Sequence, residues 1–360
     1  MANATYEHFI AQNVALAGAN HIGVYNSAGR RIGGAGLQNL ALPITRKKEY
    51  SFMCVSDAHL GGNSESIDCQ VDYIRALKYA KSDPDIAFTT ICGDTGDGGG
   101  DGNYQAYQNL TKKYATKPVY AITGNHESYY NNVATYADES KVNQYYGKPL
   151  YYHFTHGDDV YIMLGMYGWG FTYSLFKRDG DNEVELKFLR DTLEENRNKR
   201  CFVFFHVLSS LEGDSGEPYA NFYASDDFKK AEDVHNKQRD CFLSLLRHYK
   251  NTVWFHGHSH AMFQLQELNG NTIYSDKLGY RSVHIPSLCK PTKPKSEGGE
   301  KTYADAESQG YIVDVYSNGI HLRGRDFVKG EFLPIASYWI DTTLQTVAAG
   351  TYSDPTGIIV

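Results

Sequence analysis

The residues of this chain that could do chemistry lie directly after short apolar runs. Five such runs each end in aspartate, asparagine or histidine. The polar groups that follow them are Asp57-Ala58-His59, Asp94 with Asp97, Asn125-His126-Glu127, His206, and His256-Gly257-His258-Ser259-His260. Apolar runs of this length are typical of buried strands, and open α/β sheets build their sites at the carboxyl ends of strands. The pattern therefore predicts a metal site at one edge of a sheet.

Asp94 is the residue on which this predicted site is centred. It follows the apolar run that ends at Cys92, so its carboxylate should stand at the end of a buried strand. A carboxylate in that place can bridge two cations, because each of its oxygens can face one metal. Mixed nitrogen and oxygen ligands suit Zn, Fe or Mn, and they do not suit Ca or Mg cages. The sequence thus indicates a transition-metal centre.

Each motif taken alone also has an ordinary structural explanation. Asp57 and His59 could belong to a solvated turn, and the block 124–127 could be a turn followed by a helix cap. The acidic residues of the glycine-rich stretch could be loop acids. Three histidines within 256–260 are compositionally unusual, and His256 is the one expected to be structural because it lies inside the strand run.

Taken together, the motifs are specific. In chain order they read Asp-x-His, Gly-Asp-x-x-Asp, Gly-Asn-His-Glu, a single His, and Gly-His-x-His. This arrangement resembles the calcineurin-like metallophosphoesterase superfamily, and its blocks span residues 57 to 260. One such pattern alone has a real false-positive rate, whereas the full series is specific. The resemblance implies an α/β fold, a four-layer αββα sandwich, with a dinuclear metal centre at the sheet edge.

The resemblance also implies a role for each site residue and two divalent transition-metal ions, Mn, Fe or Zn. The ligands of the first metal are Asp57, His59 and His260, those of the second are Asn125, His206 and His258, and Asp94 serves both. His126 is the catalytic acid, and Asp97 orients it. Two cations about 3.5–4 Å apart can hold a bridging hydroxide and clamp a phosphoryl group for in-line attack. The departures from the family pattern are small: no proline follows His206, and three glycines follow Asp97.

The spacing of apolar residues predicts the elements that position these groups. The stripe Ile67, Val71, Ile74 and Leu77 predicts a helix that starts at Ser64 or Ser66 within a βαβ unit over residues 51–92. An antiparallel hairpin is expected over 150–154 and 160–166. Further helices are predicted at 104–114, 183–197 and 227–249, and further strands at 119–123, 201–205 and 252–256.

Residues 1–48 do not follow the sheet pattern and are predicted to be an N-terminal leader with a β-hairpin around the turn 26–29. They either pack on the main domain or attach the chain to a protein partner. Residues 49–330 are predicted to form the calcineurin-like domain. Residues 331–360 are predicted to be a C-terminal tail.

Composition limits the classes of protein. The 360 residues are 41% hydrophobic and 21% charged, which are globular values. A net charge of −7 argues against a general nucleic-acid coat or an anionic-membrane binder. No apolar run approaches the ~18–20 residues of a membrane span, and residues 1–19 lack the pattern of a secretory signal. Six scattered cysteines, with Cys54, Cys92 and Cys201 expected in buried strands, favour a cytoplasmic location.

The sequence therefore predicts a dinuclear-metal-dependent phosphoesterase that hydrolyses a phosphomonoester or phosphodiester by a metal-bridging hydroxide. Ten of the 29 tyrosines lie between Tyr129 and Tyr173. They are either a half-buried packing surface or a stacking wall for a nucleotide-type ester, and Glu127 and Arg281 are candidates for the rim. The expected partner is a small phosphoester, without stable nucleic-acid or membrane binding. The alternative is a non-catalytic or assembly-attached scaffold of the same fold, for example phage-associated, although the retained ligands count against it.

Overall fold

Two large β-sheets and their covering helices make up the computed structural model of this protein. The structure describes residues 22–25, 31–35, 47–61, 67–130, 133–168, 175–207, 226–264, 274–275, 279–289, 291–293, 302–303 and 307–359. In this part of the chain the helices α1 to α5 are Ile67–Ser82, Asp101–Tyr114, Glu139–Tyr146, Val184–Glu195 and Asp226–His248. The strands β1 to β18 are Ile22–Tyr25, Arg31–Ala35, Tyr50–Val55, Ile86–Cys92, Val119–Ile122, Tyr129–Tyr130, Val133–Ala134, Tyr151–His156, Asp159–Leu164, Cys201–Phe205, Thr252–His256, Tyr274–Ser275, Ser282–His284, Thr292–Lys293, Thr302–Tyr303, Gln309–Tyr316, Gly319–Asp326 and Glu331–Asp341.

The first sheet has eight strands in the order β1-β2-β18-β17-β16-β3-β4-β5. Strands β3, β4 and β5 are parallel neighbours, and β16 pairs antiparallel with β3. The predicted βαβ unit is thus confirmed as β3-α1-β4. Because β3, β4 and β5 run the same way, their carboxyl ends bring Asp57, Asp94 and Asn125 to one edge.

The second sheet has six strands in the order β12-β13-β11-β10-β9-β8. Strands β9, β10, β11 and β13 are parallel, and β8 and β9 form the predicted antiparallel hairpin. Strand β10 ends at Phe205 and β11 ends at His256, so His206 and the loop 257–260 follow directly after two neighbouring strand ends.

The two sheets pack face to face, and helices cover both outer faces. The shared core joins Phe52 of the first sheet to Phe202 of the second, with ring centroids 5.7 Å apart. Helices α1, α2 and α3 pack on the outer face of the eight-stranded sheet, and α4 and α5 pack on the six-stranded sheet. This is the predicted four-layer αββα sandwich.

The edge opposite the strand ends is tied by a buried ion pair. The guanidinium of Arg200 donates to both oxygens of Asp159, over 2.8 and 2.6 Å. Tyr50 donates to the same carboxylate over 2.5 Å, and Arg200 also donates to the carbonyl of Tyr316 over 2.6 Å. Because Tyr50 and Tyr316 belong to the first sheet and Asp159 to the second, these contacts fix the two sheets relative to each other.

The buried face of α1 differs from the predicted stripe. Ile67 and Val71 are 55% and 39% exposed, whereas Tyr73 and Ala76 are fully buried. The helix packs its small residues towards the sheet, since alanines allow close approach, and the hydroxyl of Tyr73 bonds to that of Thr111 on α2 over 2.7 Å. Of the predicted stripe, Leu77 is buried as expected, whereas Ile67 and Val71 lie on the exposed side of the helix.

Strands from both predicted terminal segments, 1–48 and 331–360, join the eight-stranded sheet. Strands β1 and β2 form the predicted hairpin, whose turn 26–30 lies outside the described residues, and β2 pairs with β18. Strand β18 pairs along β17, so the predicted tail from 331 begins with a strand of this sheet. Pro334 argues against a central strand, but it lies at an irregularity in the β17–β18 register, where a ladder bond is not required. The sheet thus continues through both predicted boundaries, and the division into domains stays a prediction.

The six cysteines include a pair that the sequence did not predict. Cys69 on α1 forms a disulfide with Cys289, 220 residues away, while Cys54, Cys92 and Cys201 are buried as expected. Disulfides are typical of oxidising compartments, so this pair argues against the predicted cytoplasmic location, which stays a prediction. Among the described helices, none has the length and apolar character needed to cross a membrane.

Candidate metal centre

Backbone hydrogen bonds join the loops that follow the strand ends. The N–H of His59 donates to the carbonyl of Asp94 over 2.9 Å. The N–H of Gly257 donates to the carbonyl of His206, also over 2.9 Å. Each predicted ligand loop is therefore held by a neighbouring ligand loop, and the predicted site residues meet at one edge of the sandwich.

Asp57 uses its two oxygens differently. The carboxylate is fully buried, and Oδ2 accepts the backbone N–H of His258 over 3.2 Å. Oδ1 faces three imidazoles instead: Nε2 of His260 is 3.3 Å away, Nε2 of His206 is 3.7 Å away, and Nε2 of His59 is 4.0 Å away. One oxygen thus fixes a loop, while the other is available at the centre of the site.

Asp94 repeats this arrangement. Its Oδ1 accepts the backbone N–H of His126 over 2.9 Å, while Oδ2 lies 3.1 Å from Nε2 of His206. The Nε2 atoms of His126 and His59 are 3.9 and 4.0 Å from the same oxygen. We expected each oxygen of Asp94 to face one metal. Instead, Oδ1 accepts a backbone N–H, and only Oδ2 lies among the ring nitrogens.

The donor atoms fall into groups of the size that a metal ion needs. Within each group they lie within 4.8 Å of one another: one group is Asp57, His59, Asp94 and His260, another is Asp94, His206 and His258, and a third is His59, Asp97 and His126. The first two coincide with the two predicted ligand sets, Asn125 aside, and share Asp94. The third contains the predicted catalytic pair, so His126 and Asp97 lie beside the predicted ligands.

Three of the predicted ligand atoms test whether the site suits a metal. In the part of the chain that the structure describes, the buried Asn125 Oδ1 has no hydrogen-bond partner, and Asp57 Oδ1 and His206 Nε2 have none of suitable geometry, although other donor atoms of the site lie 3.3 and 3.1 Å away. Buried polar atoms normally have one. In addition, Nε2 of His59 and Nε2 of His260 approach to 2.9 Å, so two imidazoles point at one place. Buried oxygen and nitrogen atoms that converge without hydrogen-bond partners suit transition-metal cations as ligands.

His206 is oriented for binding through Nε2. Its Nδ1 lies 2.7 Å from the carbonyl of Cys92, and because a carbonyl only accepts, Nδ1 carries the hydrogen and a neutral ring presents its lone pair at Nε2. Burial opposes a charge on this ring, but Asp94 and Asp57 outweigh it and raise the pKa of His206 to about 9. Their field therefore attracts positive charge to this place.

The backbone is strained at the site. Among the described residues, those other than glycine with a positive φ are Asp57 (53°), His59 (44°), Asp94 (46°), His258 (76°) and His260 (57°). Every one is a predicted metal ligand. A side chain in the left-handed region costs about 1–3 kcal/mol and persists only where its surroundings fix it. The strained backbone at these five residues sets the directions of their side chains, and the surrounding contacts maintain it.

Asp97 contacts two histidines. Its Oδ1 lies 3.4 Å from Nδ1 of His126, whose orientation by Asp97 stays a prediction, and 3.2 Å from Nδ1 of His59, a contact that the sequence did not predict. A carboxylate on the outer nitrogen of a metal-ligating histidine fixes its ring and tautomer. Burial opposes a charge on His126, but Asp94 and Asp97 raise its pKa to about 9.

Two residues considered for the rim lie elsewhere. Arg281 donates to the carbonyl of Lys250 over 2.8 Å, next to the start of β13 and away from the strand ends. Glu127 is 2% exposed and accepts the N–H groups of Gly96 and Gly124, each over 2.7 Å. Burial, with the charge of Asp94, raises the pKa of Glu127 to about 7, although these hydrogen bonds oppose the shift. Glu127 joins two ligand loops, a role that its place in the motif could have suggested.

The family of the chain follows from comparison with known proteins. Residues 50–262 match the family model of the calcineurin-like phosphoesterases. The match covers more than half of the chain, which therefore belongs to this family, whose members depend on metals. A comparison with curated proteins gives no match.

Solved structures with some similarity include a purple acid phosphatase from yellow lupin (Lupinus luteus) seeds. It is 12% identical, with a TM-score of 0.49, and the match covers 84% of this chain and 57% of that one, so this chain spans little more than half of its length. A Streptococcus pneumoniae protein described as a predicted phosphoesterase is 10% identical, covering 81% and 97% of the two chains with a TM-score of 0.34. Vacuolar Protein Sorting 29 from Cryptosporidium parvum is 11% identical, covering 82% and 100% with a TM-score of 0.36.

Substituting Gly257 tests whether the close packing of these loops supports the site. A Cβ at this position would lie 2.0 Å from Ser56 Oγ and 2.7 Å from Asp57 Oδ2. We expect Gly257→Ala to displace Asp57, to lower the free energy of unfolding by about 1–3 kcal/mol as overpacking does, and to lower metal content. Elemental analysis and urea denaturation measure the two effects.

Gly102 provides the matched control, because a Cβ there meets no atom within 4 Å. Gly102→Ala should keep the metal content of the unchanged protein and keep or slightly raise its stability, since Gly102 lies in the helix α2. A Gly257→Ala protein with the same metal content as Gly102→Ala would contradict the packing argument.

Proposed function

We propose that the chain hydrolyses a phosphomonoester or a phosphodiester with two transition-metal ions. The observation that carries this proposal is the pair of buried carboxylates, Asp57 and Asp94, each with one oxygen held by backbone and the other among histidine nitrogens. A buried charge of this kind is costly unless a cation accompanies it. Membership of the calcineurin-like phosphoesterases supports the same reaction class.

The proposed ligand sets follow from the two donor groups. Asp57, His59 and His260 would hold one ion, and His206 and His258 the other, with Asp94 shared. Asn125, whose buried Oδ1 has no hydrogen-bond partner among the described residues, would complete the second set. The donor chemistry favours Mn, Fe or Zn. When bound, the ions would polarise the phosphoryl oxygens and supply an activated water.

Within the protein, His126 is proposed to be the general acid. Its Nδ1 faces Asp97, which sets the tautomer, while its Nε2 lies on the side of Asp94 Oδ2. The backbone N–H of His126 is bound to Asp94, so the ring stays beside the ligands. A partly exposed imidazolium in this place can give a proton to the oxygen of the leaving group.

A nucleotide-type ester is the proposed substrate class. Most of the tyrosines after His126 serve packing: Tyr104 stacks on Tyr145 at 5.6 Å between α2 and α3, for example. Tyr136 is different, because it is 48% exposed and stacks on Tyr167 at 4.7 Å. The preceding Thr135 is bonded to the carbonyl of Ser128, which places this aromatic pair close to the loop of His126 and supports stacking with a base.

Asp94→Asn tests the reaction and the bridging role together. A panel of phosphomonoesters, cyclic nucleotides and aryl diesters, assayed with Mn, Zn and Fe, should show metal-dependent hydrolysis by the unchanged chain. Asp94→Asn should lose most of its bound metal and fall to the rate of metal-stripped protein, because both ligand sets include Asp94.

Asp191→Asn is the matched control. It makes the same change at an exposed aspartate that is paired with Arg190 and lies outside the donor groups. It should keep metal and activity. A chain that holds two metals and hydrolyses no ester of the panel would support the scaffold alternative, and an Asp94→Asn protein with normal metal content would remove Asp94 from the bridging position.

His126→Gln tests the general acid. An alkoxide leaving group needs a proton as its bond breaks, while a nitrophenolate is stable without one. We therefore expect His126→Gln to keep both metals, to lose about 10²–10⁴-fold on an alkyl ester, and to lose far less on a nitrophenyl ester. Both rates and the metal content are measured on one preparation. Equal losses with metals retained would assign His126 to charge stabilisation, and loss of a metal would make it a ligand.

A further inference from the structure

Ser259 lies between two proposed ligands and points away from them. Its neighbours His258 and His260 belong to the two donor groups, whereas the Ser259 side chain is 4% exposed and its hydroxyl lies 2.6 Å from Nε2 of His284. The same hydroxyl accepts the N–H of Ala261 over 3.1 Å. This serine thus connects the ligand loop to a residue outside the site.

His284 is fixed in the second sheet. It is the last residue of β13, it is 1% exposed, and it is the register partner of His256 in β11. The two rings stack with centroids 4.9 Å apart and planes 27° apart. The N–H of Ile285 donates to the carbonyl of His256 over 2.7 Å, so backbone and ring are both held. His284 is therefore a rigid reference point for the loop that begins one residue after His256.

The loop 257–260 needs contacts that fix its conformation, because its backbone is strained. His258 and His260 both have positive φ, and such conformations persist only where the surroundings determine them. Backbone contacts hold the two sides of the loop: the N–H of His258 donates to Asp57, and the carbonyl of His260 accepts the N–H of Thr292 over 2.7 Å. Between them, the N–H of Ser259 donates to the carbonyl of Gly257 within the loop over 3.0 Å, and the side chain of Ser259 connects the loop to β13.

We propose that Ser259 and His284 form a positioning pair, in which the hydrogen bond between the Ser259 hydroxyl and His284 Nε2 fixes Ser259 and thereby aims His258 and His260 at the two metals. The pair touches neither substrate nor metal. The inference rests on the proposed metal-binding role of these two histidines and does not depend on which ester is hydrolysed.

The test measures Mn²⁺ affinity by calorimetry on the metal-stripped full chain, so it needs no turnover. We expect Ser259→Ala to weaken Mn²⁺ binding by about 10–100-fold, the usual effect of losing a partner outside the ligand shell. Ser244→Ala is the matched control, because it also removes a hydroxyl contact, from Ser244 on α5 to Tyr352 over 2.8 Å, and neither of these residues belongs to the donor groups. It should bind Mn²⁺ like the unchanged protein.

Two variants at His284 separate its hydrogen bond from its ring packing. His284→Phe keeps a ring against His256 and loses the bond, so it should weaken Mn²⁺ binding as Ser259→Ala does. His284→Gln keeps a polar group near the position of Nε2 and should bind more tightly than His284→Phe. The double variant Ser259→Ala/His284→Phe should be no weaker than either single variant, because both remove the same contact.

Circular dichroism and thermal melts show which variants are folded. A folded Ser259→Ala protein with unchanged Mn²⁺ affinity would overturn the proposal, and so would tighter binding by His284→Phe than by His284→Gln. Additive losses in the double variant would also contradict it. An unchanged chain that binds Mn²⁺ but hydrolyses no ester would reject the proposed reaction only, and one that binds no Mn²⁺ would reject both proposals.

Discussion

The constraint on which the rest of this structure depends is the burial of two carboxylates at one edge of the sandwich. Asp57 is fully buried and Asp94 is 1% exposed. Charges removed from water in this way are unfavourable unless partners compensate them. Histidines supply part of the compensation, because the same field raises the pKa of His206 and of His126 to about 9. Two divalent cations would compensate the charge more fully.

The loops around these carboxylates hold one another. Asp57, at the end of β3, binds the backbone of His258, which follows β11 in the other sheet. Asp94, at the end of β4, binds the backbone of His126, which follows β5. Glu127 adds two further backbone contacts between the same loops. Because residues of one loop fix the backbone of another, the strained backbone at the predicted site is a property of the whole set of loops.

Much of the fold followed from the sequence, for a physical reason. A buried parallel strand is a short apolar run, and its carboxyl end is a defined place, so polar residues after several such runs must meet. The family match and the two facing sheets confirm this part. The placement of Asp57, Asp94 and His206 at one edge is explained by the same argument, whereas their roles as ligands stay predictions.

The rest depended on contacts that have no local signal. The bond between Ser259 and His284 joins residues that are neighbours only because β11 and β13 are paired, and the Cys69–Cys289 disulfide spans most of the chain. Strand β18 was not predicted, because a proline such as Pro334 argues against a central strand. The buried face of α1 was predicted only in part, because alanine and tyrosine are weaker apolar signals than isoleucine and valine. In each case the outcome depends on a partner that is distant in sequence, which local propensity does not reveal.

The most direct test of the central claim is anomalous diffraction at the manganese edge from crystals of the Mn²⁺-loaded chain. The account predicts two peaks about 3.5–4 Å apart, on either side of Asp94 Oδ2. One peak should contact Asp57, His59 and His260, and the other Asn125, His206 and His258. A single peak would contradict the dinuclear centre, and a peak held by His59, Asp97 and His126 would make the proposed acid a metal ligand.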